Sequence, residues 1–148
     1  MGLDMYLRAK RYYWKSNDQD VETSKKIAEA MGAPELDVRE VSVLVGQWRK
    51  ANQIHNWFVE NVQEGEDDCR PYAVGTDELD ELRELCIKLL ESKDEKMAEE
   101  LLPCTQGFFF GSQNYDGYYW GDLIQTIEII DKCKSLGREW DFEYQSSW

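Results

Sequence analysis

The chain has 148 residues, 42% of them hydrophobic, and a formal net charge of −13 at pH 7. That length suits a single domain, 1–148, able to bury roughly 70% of its unfolded surface. The acidic total argues against the dense basic face that direct binding to a nucleic-acid backbone requires, a local patch at Arg8, Lys10, Arg11 and Lys15 aside. No apolar run approaches the roughly 20 residues that span a bilayer, so no membrane partner is expected.

In chain order, Leu3, Met5 and Leu7 alternate with Asp4, Tyr6 and Arg8, the period of two of a half-buried strand. Ser16-Asn17-Asp18 supplies turn chemistry, and Ile27, Ala28 and Met31 ahead of Gly32 predict a short helix with a glycine stop. Val38 to Val45 is rich in β-branched residues and predicts a second strand ending at Gly46. A helix is expected from Trp48 to Val62, with Ala51, Ile54, Phe58 and Val62 as its core stripe and Arg49, Asn56, Glu60 and Gln63 facing away. Thr76 is the expected cap of a helix whose inward stripe is Leu79, Leu82, Cys86 and Leu89. Ser92-x-x-Glu95 has the form of a capping box opening a further short helix stopped by Pro103. Phe108, Phe109 and Phe110 between Gly107 and Gly111 are read as core. Leu123, Ile124, Ile127 and Ile130 form a helical stripe closed by Gly137, and Trp140, Phe142 and Tyr144 alternate as a last strand. These elements predict an α+β fold: a small antiparallel sheet of N-terminal, central and C-terminal strands covered by about four to five helices.

Charge is unevenly placed. Residues 1–59 carry nine Lys/Arg against eight Asp/Glu, residues 60–100 five against fifteen, and residues 101–148 three against seven. The carboxylates Asp67, Asp68, Asp77, Glu78, Asp80 and Glu81 therefore mark an acidic surface for a protein partner, able to mimic nucleic acid in a basic groove.

Chemistry concentrates around the single histidine. His55 sits on a flank of the expected helix with Trp48 and Asn52, and a histidine there either packs with its polar tip satisfied or turns one nitrogen to a cleft. Arg49 and Lys50, placed in the helix's first turn, oppose the macrodipole, which calls for an internal carboxylate or a ligand anion as compensation. The small and amide residues from Gly111 to Gly117 leave backbone N–H groups to cradle an anion, with Tyr115, Tyr118 and Tyr119 at the rim. Trp48, Arg49, Lys50, Asn52, His55, Ser112, Tyr115 and Tyr118 are the ligand-binding candidates. No catalytic residue is assigned outright, His55 being the acid or base if the protein is an enzyme.

A metal held by His55, Asp67, Asp68 and Cys69 lacks the tight ligand pairs of zinc sites, and a Cys69 nucleophile served by His55 lacks an oxyanion feature. No Gly-rich phosphate loop ending in Gly-Lys-Ser/Thr is present. No metal or cofactor is expected. Cys69, Cys86, Cys104 and Cys133 show no CxxC spacing, and no charged-then-apolar leader precedes the first strand, so reduced thiols in the cytosol are expected.

The opening Met1-Gly2-Leu3-Asp4-Met5-Tyr6-Leu7, the run Trp48-Arg49-Lys50-Ala51-Asn52 with Ile54-His55 and Trp57-Phe58-Val59, the Asp67-Asp68-Cys69 triplet and Gly107 to Ser112 with Tyr115-Asp116 and Tyr118 resemble a family of small acidic proteins of phages and prophages. The resemblance spans nearly the whole chain and implies a viral origin, with no activity to transfer. Together with the residues, it leads to the expectation of a phage accessory protein in the host cytoplasm: a non-catalytic binder that inhibits host defence, through a host protein or by sequestering a small anionic, nucleotide-like signal. The alternative is a nucleotide- or phosphoester-processing enzyme centred on His55. The sequence does not fix the oligomeric state.

Overall fold

The computed structural model describes residues 2–107 and 111–148. In chain order the elements are β1 (Asp4–Tyr12), α1 (Asp18–Ala30), β2 (Glu40–Arg49), α2 (Asn52–Asn61), β3 (Tyr72–Val74), α3 (Thr76–Ser92), α4 (Glu95–Leu101), α5 (Gly117–Lys134) and β4 (Trp140–Ser147). The strands form one antiparallel sheet in the order β2-β1-β4-β3. This is the expected α+β architecture, with the two chain ends paired at the centre of the sheet.

Period-two alternation decides which sheet face is covered. Met5, Leu7 and Ala9 of β1 and Phe142 and Tyr144 of β4 are buried beneath the helices, while Tyr6, Arg8 and Lys10 lie on the opposite, half-exposed face. Leu79, Leu82, Cys86 and Leu89 turn one stripe of α3 inward as their spacing predicts, each buried leucine contributing about 1.5–3 kcal/mol. In α5 the stripe is displaced: Tyr119, Leu123, Thr126 and Ile130 are buried, but Ile124 is 48% exposed. Close approach of α5 to β2 needs Gly46, since a Cβ there would stand 2.5 Å from the Ile129 side chain. Asp20 of α1 accepts from Arg11 at 3.0 Å and from the Trp14 backbone at 3.1 Å, pinning that helix to the end of β1. Met31, the last residue of the predicted helical pattern, is its C-cap and is 71% exposed.

Several boundaries differ from expectation. The helix predicted from Trp48 begins at Asn52, because the ladder with β1 runs on: Met5 pairs with Trp48, Asp4 with Arg49, and the Lys50 N–H donates to the Leu3 carbonyl at 2.7 Å. Lys50 then turns the chain at φ 57°, and α2 opens with the Ile54 and His55 N–H groups on the Ala51 carbonyl. Gln63, placed by the helical wheel on the outer face, is buried, because the chain leaves the helix there and its amide bonds to the Glu66 carbonyl. Gly75, not Thr76, is the N-cap of α3. The cap of α4 is Asp94, whose carboxylate accepts from the Lys96 and Met97 N–H groups, while Ser92 ends α3. The three-residue β3 was not anticipated. The Phe108 to Phe110 expectation lies outside the described residues.

Candidate functional site

The β2–α2 junction, Cys104, residues 111–116 and the first turns of α5 line a cleft of about 400 Å³. Arg49, Lys50 and Gln53 form one wall, Gly111, Ser112 and Asn114 the rim, and Asp116, Tyr118, Tyr119 and Asp122 the wall from α5. Four predicted ligand residues, Arg49, Lys50, Ser112 and Tyr118, thus meet although they lie far apart in the chain.

Asn52 joins these segments. Its side-chain NH₂ donates to the Ser112 carbonyl at 2.8 Å and its Oδ1 accepts from the Thr105 N–H at 2.9 Å, so this buried amide holds two loop strands against the start of α2. Gly111 is required there twice over: its φ is +84°, and a Cβ would come within 2.9 Å of the Lys50 Cβ. Tyr115 buttresses the cleft without lining it. Its hydroxyl accepts from the Cys104 N–H at 3.1 Å and its ring lies 4.8 Å from that of Tyr119. Asn52 and Tyr115 are thus positioning residues rather than walls of the cleft.

The electrostatics are mixed. Arg49 ends a strand and reaches Asp4 at 3.6 Å, and Lys50 precedes the Ala51 N-cap, so neither cation sits in the first turn as expected. An internal carboxylate therefore compensates Arg49. Among the described residues Lys50 has no ion-pair partner. Opposite them, Asp116 caps α5, accepting from the Tyr118 and Tyr119 N–H groups at 3.0 and 3.3 Å. Asp122 accepts from Gln53 at 3.2 Å, yet burial pushes its carboxyl up to about 6. A folded pKa above the unfolded value means stability present below about pH 4 and lost as pH rises through 6. Asp122→Asn, which keeps the Gln53 bond and removes the charge, is therefore expected to stabilise the protein by about 1–2 kcal/mol at pH 7.5 and by much less at pH 4. Urea unfolding at the two pH values checks this, and equal effects at both would refute it.

His55 belongs to another centre. It is buried in α2 and does not line the cleft. Its Nδ1 lies 2.7 Å from the Tyr144 hydroxyl and its Nε2 3.0 Å from Asp67 Oδ1. A carboxylate only accepts, so Nε2 carries the proton toward Asp67, and Nδ1 accepts from the Tyr144 O–H. Burial lowers the histidine pKa against the raising influence of Asp67, which agrees with this neutral tautomer. Asp67 also accepts from the Trp148 indole at 3.0 Å, so the relay ties α2, the loop after it and the end of β4 together. Tyr144 stacks on Phe58 with ring centroids 3.8 Å apart. Both histidine nitrogens are engaged, and neither serves Cys69. Trp48, another candidate, is core: it is buried, and its indole donates to Thr126 at 2.8 Å.

The acidic surface is partly spent on the fold. Asp67 serves His55, Asp68 accepts from the Tyr72 hydroxyl at 2.8 Å, and Asp80 pairs with Lys134 at 2.8 Å. Asp77 and Glu81 are exposed, while Glu78 is half-buried. Glu78 and Asp80 line a larger cavity of about 960 Å³ between the β3–β4 edge and the ends of α3 and α5. No candidate ligand residue lies in that cavity. Burial pushes the Cys86 and Cys133 thiols up to about 12, which leaves both inert near neutral pH.

Asn114 and Asp116 lie in the expected Gly111–Gly117 cradle and Tyr119 is one of the expected rim tyrosines, whereas Gln53, Cys104 and Asp122 were missed as cleft residues. A signal existed for one of them: Asp122 interrupts the apolar face between Tyr119 and Leu123. Fold and cleft define a two-layer α+β protein with a mixed-charge cleft at the junction of a strand and two helices. No protein-family model, curated protein or solved structure matches the chain. Among the described residues no helix is long and apolar enough to cross a membrane, and no group of three or more His, Cys, Asp and Glu is placed to hold a metal ion.

Proposed function

We propose that the protein is a phage accessory factor acting in the cytoplasm of the bacterial host as a non-catalytic binder, which takes a small anionic, nucleotide-like molecule into the Arg49–Lys50 cleft and so blunts a host defence that signals with it. The observation that carries this reading is the convergence of Arg49, Lys50, Ser112 and Tyr118 on one cleft of about 400 Å³, within the size range of small-molecule sites. The cations suit a phosphate or carboxylate, the exposed Tyr118 ring offers a stacking surface, and Gln53 with Asp122 offers hydrogen bonds to a base edge. The resemblance to phage proteins supports the setting.

Two rival readings fare less well. An enzyme centred on His55 would need that ring at the cleft, and it is buried elsewhere with both nitrogens engaged. A nucleic-acid mimic would need its carboxylates free, and Asp67, Asp68 and Asp80 already hold internal partners. Native mass spectrometry of protein purified from host cells should show an anionic small molecule released on denaturation, and calorimetry with a panel of mono-, di- and cyclic nucleotides should identify its class. The Arg49→Ala/Lys50→Ala variant should bind about 100-fold more weakly with its unfolding midpoint nearly unchanged. Absence of any retained or titrating anion, or full binding by the double variant, would overturn the proposal.

A further inference from the structure

Natural sheets blunt their edges with charge, proline, bulges or a covering element, because a free row of N–H and C=O groups is a template for another strand. β2 is an edge strand ten residues long, and between Val41 and Trp48 it carries neither charge nor proline. Its middle is open: Val43 is 40% and Leu44 54% exposed.

The ladder shows which backbone groups point outward. The Tyr13 N–H donates to the Arg39 carbonyl, which makes Tyr13 and Arg39 a bonded pair and, by antiparallel alternation, Arg11 with Val41 and Ala9 with Val43. Tyr12–Glu40, Lys10–Ser42 and Arg8–Leu44 are then the non-bonded pairs, and the N–H and C=O groups of Glu40, Ser42 and Leu44 face the outer edge. Beyond the irregularity at Leu7/Arg8, the outward Gln47 carbonyl is taken by the Gln125 side chain at 2.7 Å. No such cover reaches Glu40, Ser42 or Leu44 among the described residues.

We infer that the Glu40–Leu44 edge of β2 joins the same edge of a second copy of this chain, forming one continuous eight-stranded antiparallel sheet about a two-fold axis at Ser42. Self-pairing is favoured over a foreign strand on two grounds. Val41-Ser42-Val43 reads the same in both directions, so an antiparallel two-fold sets Val41 of each copy opposite Val43 of the other on the helix side, and Leu44 opposite Glu40 on the open side. Each outward residue then exchanges both backbone groups with its opposite number. Charge gives the second ground. The chain's acidic excess lies in residues 60–100, whose β3, α3 and α4 follow the other edge of the sheet, while residues 1–59 are nearly balanced. Joining the β2 edges keeps the acidic helices apart.

Sedimentation equilibrium of the full chain across the micromolar range should show a reversible two-chain species. Ser42→Pro removes an outward N–H that has no hydrogen-bond partner among the described residues, and Ser42→Lys sets two ammonium groups opposite each other; each should weaken the dimer at least about tenfold. Ala73→Lys, on the other edge strand, should leave it unchanged. Circular dichroism confirms folding, and Ser42→Lys, with an exposed side chain, decides the matter if Ser42→Pro misfolds. A single-chain species at every concentration, a dimer indifferent to Ser42→Lys, or a co-purified foreign strand protecting the Ser42 amide from hydrogen exchange in a one-copy complex would each overturn the inference.

Discussion

Replacing His55 with alanine is expected to lower the unfolding free energy by about 3–4 kcal/mol. The loss has two sources. A buried ring is removed from beside the stacked Phe58 and Tyr144, and the Tyr144 hydroxyl and the Asp67 carboxylate each lose a hydrogen-bond partner. Tyr144→Phe, which removes one bond of the relay and keeps the stacking, should cost about 1–2 kcal/mol. The double variant should cost less than the two changes added, because they delete the same bond. Strict additivity in urea unfolding would sink the relay. The histidine also gives a pH signature. Its folded pKa lies below the unfolded value, so its contribution is fully present above about pH 6.5 and is lost as pH falls through the folded pKa, by up to about 1.4 kcal/mol per unit. Asp122, with its carboxyl at about 6, contributes in the opposite direction over the same range, but it is common to wild type and His55→Phe, so the stability difference between the two, followed as pH falls below about 6.5, isolates the histidine. Ligand binding by His55→Gln should stay within about twofold of wild type, where an acid–base role would demand the loss of any turnover.

The fold was legible where one period ruled a segment. Leu79, Leu82, Cys86 and Leu89 fit only a helix, and Trp140, Phe142 and Tyr144 fit only a strand. Around Trp48 both periods fit: Trp48 completes the inward alternation of β2, yet it also falls on a plausible helix flank, and only the pairing with Met5 decides. That displacement reassigned the candidate site. Trp48 became core and Arg49 a strand-end cation beside Asp4, so the opposed macrodipole that singled out the cations was not their reason. The β3 strand was invisible because three residues carry no period, and its partner is some seventy residues away in the chain. The site itself was half legible. Arg49, Lys50, Ser112 and Tyr118 announce themselves as polar or aromatic groups in loop-like settings, whereas Gln53 and Asp122 gain their place only when α2 and α5 are brought together.

Asn52→Ala is expected to cost about 3 kcal/mol and to abolish ligand uptake at the cleft, although Asn52 does not line it. The amide is buried at the first residue of α2, and its two ends meet different segments: Oδ1 the Thr105 N–H, the NH₂ the Ser112 carbonyl. Alanine leaves both backbone groups without that partner and frees the rim that Ser112 and Asn114 supply. Asn52→Asp separates the two contributions. It keeps an acceptor for Thr105 but presents a carboxylate oxygen to the Ser112 carbonyl, turning attraction into repulsion on that side alone. If Asn52 acts by holding the rim, Asn52→Asp should fold more stably than Asn52→Ala and still bind poorly, because Ser112, unlike Thr105, lines the cleft. If instead binding follows stability across the two variants, the rim is not what Asn52 contributes. Arg49→Ala/Lys50→Ala provides the opposite corner of the comparison, with binding lost and stability kept. The contrast between the two sets distinguishes groups that touch the ligand from the one amide that brings them together.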